Sequence, residues 1–212
     1  IDATKTLQTQ KTIGKVVELE KLVAATPLAG NIGISHTRWA THGEPTEYNA
    51  HPHLSMHGDF VVVHNGIVEN YLELREDLKA EGVTFNSETD TEVIVHLITE
   101  NLKTTELQEA ITKTLKQLHG SFALGIIFKD IQDLIIGARR GSPLAVGYGP
   151  GENYLGSDSY ALKSMTNKIT YLEDGEFCFI KKDEVNFFNE EGIKINKKVL
   201  ELSTEQQNYD KG

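Results

Sequence analysis

The chain has 212 residues, of which 39% are hydrophobic and 18 are glycine, a composition that supports a substantial buried core in one domain or two small ones and argues against disorder for the bulk of the chain. Lys and Arg number 21 against 31 Asp and Glu, for a net charge of −10, and such an acidic balance repels phosphate backbones, so nucleic acid is not an expected partner. The single cysteine excludes an internal disulfide and a cysteine-rich metal or iron–sulfur centre and points to a reducing, cytoplasmic setting; no apolar run approaches the ~20 residues that span a bilayer and no signal-peptide pattern is present, so no membrane is expected.

The chain opens on Ile1, directly before the turn-like Asp2-Ala3-Thr4-Lys5, and residues 6–13 read as a strand rich in β-formers. A hairpin needs a strand on both sides of its turn, and here the first arm has at most one residue, so the start of the fold is expected to be missing. Residues 16–23 carry apolar side chains at helical spacing, closed by Pro27 and Gly30, and residues 32–38 read as a strand. Residues 39–58 read as a long loop, the kind that is usually functional or mobile. The apolar run Phe60-Val61-Val62-Val63-His64 predicts a strand covered on both faces, ending at the turn dipeptide Asn65-Gly66. Asn70 is placed to cap a helix over 71–80, with Gly82 as its stop. Ser87 or Thr89 is placed to cap a helix over 91–102, and a third helix is expected over 107–118.

Beyond residue 120 the period changes. Short strands are expected over 122–128, 134–138, 144–148, 153–156, 169–172, 176–180 and 185–188, separated by turn signals, with one helical turn over 160–164. Residues 201–212 are polar and without periodicity and read as a linker or tail. Helices first and many strands later predict an α+β architecture of sheet on sheet covered by helices.

Six of the eight histidines (36, 42, 51, 53, 57 and 64) fall within 29 residues. They are either polar loop residues or, through pairs such as His51 and His53, metal ligands, although no recognised ligand spacing is completed and no metal is assigned. Three segments place special groups at element ends. Arg38 offers a donor fork suited to a carboxylate, with Thr41 and His42 beside it, or stacks on Trp39 at the surface. Asn65 and Gly66 offer a side-chain amide and an approachable backbone N–H, the two donors of an oxyanion hole, or simply form a hairpin turn. Asp90, at a helix N-terminus, either caps it or faces an ammonium group. Together these suit an α-amino acid whose side-chain carbonyl is attacked. The nucleophile is missing: Cys178 lies in an alternating strand without a reactive context and reads as a small buried hydrophobe.

The segments HTRWATHGEPTEYNAHPH (36–53), HNGIVENYLELREDLKAEG (64–82), SETDTEV (87–93), ARRGSPLAVGYG (138–149) and YLEDGE (171–176) closely resemble the glutaminase domains of the glucosamine-6-phosphate synthase family, in order and spacing over most of the chain. The resemblance implies an N-terminal-nucleophile hydrolase-like four-layer αββα sandwich with mainly antiparallel sheets. It implies that Arg38, helped by Thr41 and His42, holds the carboxylate of glutamine and that Asp90 holds its ammonium. Asn65 and Gly66 would form the oxyanion hole, with Trp39 near the site or the ammonia route and His64 supporting the turn. The family's nucleophile is a processed N-terminal cysteine, which would lie before residue 1, so this chain would hold none and would be inactive alone. Residues 1–200 would be an incomplete glutaminase domain and 201–212 a linker toward a sugar-phosphate isomerase domain that uses fructose 6-phosphate, in an enzyme that is a homo-oligomer at full length. No cofactor is implied. The alternatives are a non-catalytic amino-acid-binding module and another glutamine amidotransferase of the same superfamily.

Overall fold

A computed structural model describes residues 1–2 and 4–202. In chain order the elements are α1 (Val16–Ala25), β1 (His53–Leu54), β2 (Phe60–Val68), α2 (Tyr71–Ala80), α3 (Glu92–Leu102), α4 (Leu107–Gln117), β3 (Gly120–Phe128), β4 (Ile135–Arg140), β5 (Ala145–Gly149), β6 (Glu152–Gly156), α5 (Ser159–Leu162), β7 (Lys168–Tyr171), β8 (Phe177–Ile180), β9 (Val185–Phe188), β10 (Lys194–Ile195) and β11 (Leu200–Glu201). Seven strands form one sheet in the order β1-β2-β3-β4-β8-β9-β10, and four form a second in the order β11-β7-β5-β6. Every pairing among the described residues is antiparallel.

The period-2 alternation of β3 decides the layering. Phe122, Leu124, Ile126 and Phe128 join a core shared with α2, α3 and α4, while Ala123 faces a second core between the sheets with Leu144, Val146, Leu172 and Cys178. A third, smaller core of Ala145, Leu162 and Ile169 lies between the second sheet and α5. The order is therefore helices, sheet, sheet, helix: the expected αββα sandwich. Burying a side chain such as Phe122, 1% exposed, contributes about 2–3 kcal/mol. Sheet-on-sheet contact is close because Gly125 and Gly137, register partners, leave room for Leu155 from the opposite sheet; a Cβ on Gly137 would meet it at 2.8 Å.

α3 is buried from Glu92 through Ile98, whereas α2 buries only Leu74 and Leu78, one turn apart, and α1 buries nothing. Several expectations shift. Residues 6–13 and 32–38 form no strand, because β-propensity needs a ladder partner and neither sheet supplies one. A cavity of about 670 Å³ separates residues 33–37 from the edge strand β6 and from β3. The long loop contains β1, which pairs His53 with Val62 and Leu54 with Val61. The strand at Phe60 does not end at Asn65-Gly66 but runs on to Val68, paired with β3 through all nine positions. Asn70 stands at the N-cap position of α2 as expected, but its side chain makes no capping bond; it donates to the Gln117 carbonyl and accepts from the His119 N–H, both at 2.9 Å, tying α2 to the end of α4. The expected turn at residues 2–5 is present around Asp2, with Ala3 outside the described residues. Most of the expected linker, residues 203–212, also lies outside the described residues. Among the described residues no helix is long and apolar enough to cross a membrane.

Candidate active site

A cavity of about 260 Å³ opens along the edge of β2, lined by residues 36–39, Thr41, His51, residues 64–67, Asp90 and Thr91. It brings together Arg38, Trp39, Thr41, His64, Asn65, Gly66 and Asp90 of the residues singled out above. His42 stands just behind, its Nδ1 4.0 Å from Asp90 Oδ1.

The backbone explains why the cavity lies here. β1 covers only Val61 and Val62, so the edge of β2 facing away from β3 is open from Val63 onward. Strand N–H groups alternate between edges. The Val68 N–H leaves the open edge and donates to Asp90 Oδ2 at 2.8 Å, while the Glu69 N–H turns the other way to the His119 carbonyl. Two residues before Val68, the Gly66 N–H leaves the same open edge, toward the cavity. Gly66 has φ 141°, and a Cβ there would lie 2.0 Å from the Ser121 carbonyl oxygen; the glycine is required by the close approach of β3 rather than by a turn. Asn65 is on the opposite face, toward the space between the sheets, exposed, and lines both this cavity and the larger one.

Asp90 is 3% exposed. Its Oδ2 is engaged by Val68, but the approach of His42 to Oδ1 is too long for a hydrogen bond, so Oδ1 keeps its acceptor capacity. His64 Nδ1 lies 4.0 Å from Oδ2 and bonds instead to Thr91 Oγ1 at 2.9 Å. Burial lowers the basicity of His64, and the nearby Asp90 charge opposes that only in part. His64 thus packs behind the strand rather than supporting a turn.

Arg38 is not an open fork. Its Nη1 donates to the Glu44 carbonyl, and its Nη2 to the carbonyls of His42 and Gly43, curling residues 38–44 around the guanidinium. Among the described residues, Nε–H and one Nη1–H have no hydrogen-bond partner. Trp39 is 89% exposed and does not stack on Arg38; the arginines that lie over rings among the described residues are Arg75 on Phe85 and Arg140 on Phe122. Thr41 Oγ1 lies 3.3 Å from His42 Nδ1, and the His42 ring meets Tyr71 edge-on at 4.9 Å.

Two features were not legible beforehand. Asn49, 2% exposed, joins the loop to the Asp90 turn: it donates to the Glu44 carbonyl at 3.0 Å and to Glu88 at 3.2 Å, and accepts from the Glu88 N–H at 3.0 Å. Ser87 and Thr89 do not cap α3; Ser87 bonds Glu92, and α3 has no side-chain cap at Thr91. Only the short polar character of Asn49 and Ser87 signalled either.

His36, His51 and His53 form a row, with ring centroids 4.2 and 5.1 Å apart. Burial, then neighbouring positive groups, push His36 and His53 down to about 4, and His51 lower still. Among the described residues no three His, Cys, Asp or Glu side chains converge to hold a metal ion. Cys178, fully buried in β8, does not line the cavity, and burial raises its thiol to about 12.

Residues 36–164 match the family described as "Glutamine amidotransferase domain". The chain belongs to that family. The chain is 49% identical, over 97% of its length, to glutamine–fructose-6-phosphate aminotransferase (isomerizing) of Pseudomonas putida, covering 34% of that protein. It is 51% identical, over 90% of its length, to the Aquifex aeolicus protein of the same name, covering 32% of it. Among solved structures it resembles the glutamine phosphoribosylpyrophosphate amidotransferase of B. subtilis, complexed with ADP and GMP, with a TM-score of 0.60, 28% identity, and coverage of 73% of this chain and 34% of that one. The chain therefore spans about a third of the length of the curated relatives it matches.

Proposed function

We propose that residues 1–200 act as the glutaminase domain of a glutamine–fructose-6-phosphate aminotransferase, with 201–212 leading toward a sugar-phosphate isomerase domain. The whole enzyme would be a cytoplasmic homo-oligomer that makes glucosamine 6-phosphate from fructose 6-phosphate and glutamine. The observation that carries this reading is one cavity holding an uncommitted buried carboxylate oxygen, uncommitted guanidinium N–H groups and a strand N–H on an open edge.

In this mechanism Asp90 Oδ1 takes the α-ammonium of glutamine. The remaining Arg38 donors, with Thr41 and His42, take its carboxylate. The side-chain amide then lies along β2, where the Gly66 N–H and the Asn65 amide stabilise the oxyanion. A cysteine thiol gives its proton to a neighbouring base and adds to the amide carbon, the C–N bond breaks, and the base returns that proton to the departing nitrogen, which leaves as ammonia. Water then cleaves the γ-glutamyl thioester to glutamate and free thiol. Cys178 is unsuited to this role, being buried, away from the cavity and held as a thiol. The reading takes the attacking thiol from outside residues 1–212, so these residues alone do not turn glutamine over. The larger cavity shares Asn65, His36 and Thr37 with the smaller one, so a segment entering it arrives beside the oxyanion hole.

The test is glutamate release by the full-length protein. Arg38→Ala and Asp90→Asn should raise KM for glutamine about tenfold or more, and Asn65→Ala should lower kcat about a hundredfold. Absence of glutamine hydrolysis would defeat the reading. Glutamine binding without hydrolysis would mark an amino-acid-binding module, and hydrolysis without glucosamine 6-phosphate formation another amidotransferase.

A further inference from the structure

Under the Asp90 turn runs a line of buried polar side chains that the proposed chemistry does not use. Glu92, 5% exposed, opens α3 and turns back on the preceding segment. Its Oε1 accepts the Asn86 N–H at 2.8 Å, and its Oε2 accepts both the N–H and the hydroxyl of Ser87 at 2.6 Å. His96 Nε2 lies 3.5 Å from Oε1, and Lys11 and His53 are the other charged or titratable groups that act on it. Burial alone would raise the carboxyl, but the hydrogen bonds outweigh it and hold Glu92 at about 2, ionised at any ordinary pH.

An ionised acceptor at one end fixes the direction of the whole line. Ser87 gives its hydroxyl proton to Glu92, so its oxygen must accept; Thr89 Oγ1, 3.0 Å away, donates to it. Thr89 in turn accepts at 3.2 Å from His53 Nε2, which fixes His53 as the neutral Nε2–H tautomer. From the solvent side, Arg75 closes the same turn by donating to the Ser87 carbonyl at 2.7 Å while lying 4.3 Å over Phe85. Asp90 is thus carried on a turn whose first two N–H groups, of Asn86 and Ser87, answer to the Glu92 carboxylate, while the Glu88 N–H goes to Asn49 and the Thr89 N–H to Ser87 Oγ.

We infer that Glu92 is a positioning residue for the ammonium anchor: it holds the turn over 86–91 so that Asp90 keeps Oδ2 on the Val68 N–H and presents Oδ1 to the amino acid. This rests on the reading of Asp90 as the group that binds the glutamine ammonium. Glu92 touches no substrate; it sets affinity through Asp90.

The test measures steady-state glutamine hydrolysis by the full-length protein. Glu92→Gln preserves size but replaces one acceptor oxygen with an amide that confronts an N–H of Asn86 or Ser87. KM for glutamine should rise about tenfold with kcat changed less than about threefold, since the loss is confined to substrate binding. Ser87→Ala, which keeps the carboxylate and removes one of its donors, should raise KM about threefold and serves if Glu92→Gln does not fold. Unchanged KM in both variants, or a fall in kcat at unchanged KM as expected from mere loss of folded protein, overturns the inference. Asp90→Asn is measured beside them. If it raises KM and the Glu92 and Ser87 variants do not, the positioning role alone fails; if it leaves KM unchanged, the ammonium-anchor reading fails and takes the positioning role with it.

Discussion

The histidine row makes the fold acid-sensitive in a defined window. His53 is 5% exposed, and burial, together with the positive charges of Lys11 and Arg38, lowers it from 6.5 to about 4 against the opposing pull of Glu92. A base with a lowered folded value is protonated first in the unfolded chain. Its contribution is therefore complete above pH 6.5 and is lost as the pH falls from 6.5 toward 4. At 1.36 kcal/mol per pH unit, the drop from 6.5 to about 4 is worth about 3 kcal/mol. His36, lowered to about 4 by burial and then by the charges of His64 and Arg38, should lose its contribution over the same window. His53→Gln removes the titration while leaving an amide that can still donate to Thr89. Urea unfolding at intervals between pH 7 and pH 4 should show the wild-type curve falling toward the variant, the gap closing by about 3 kcal/mol. The His53 ring proton resonance should titrate near 4 in the folded protein. Parallel stability curves, or a titration midpoint near 6.5, would refute the electrostatic account of the row.

Gly66→Ala should be the most damaging single methyl group in the site. Its Cβ would sit 2.0 Å from the backbone oxygen of Ser121 and at φ 141°, so stability should fall by about 3 kcal/mol or more in denaturant titrations, with glutamine hydrolysis abolished; a variant of wild-type stability would contradict the register of β2 and β3. Cys178→Ala should leave kcat and KM within about twofold while costing about 1 kcal/mol of stability, and the thiol, pushed up to about 12, should resist alkylation until the chain unfolds. Asn49→Ala removes the links between the Arg38 loop and the Asp90 turn and should raise KM for glutamine severalfold, read in the same hydrolysis assay.

The residues that meet in the cavity were legible from the chain because each marks the end or edge of an element: Arg38 after an extended segment, Asp90 before α3, Asn65 and Gly66 after an apolar run. Their local causes were less so. Asn-Gly has the composition of a turn, but the decisive term is the approach of Ser121 on a strand 55 residues further along, which no local rule contains. The same holds for Asn70 and Ser87, whose side chains have the short polar geometry of caps but find partners in Gln117, His119 and Glu92. Residues 32–38 carry strand propensity without a strand, since a ladder is a property of two segments.

The position of the site follows from where the main sheet stops pairing. β1 is two residues long, between Pro52 and the turn that hydrogen-bonds Gly58 N–H back to Ser55. A longer β1 would pair with β2 past Val62 and take up the N–H groups of His64, Gly66 and Val68. Because it ends, those groups emerge from the sheet and must find other partners. Asp90 meets the Val68 N–H, and in doing so is held at the open edge with one oxygen to spare. The truncated strand therefore leaves two features together on one open edge: strand N–H groups without a ladder partner, and a buried carboxylate held by one of them with an oxygen to spare.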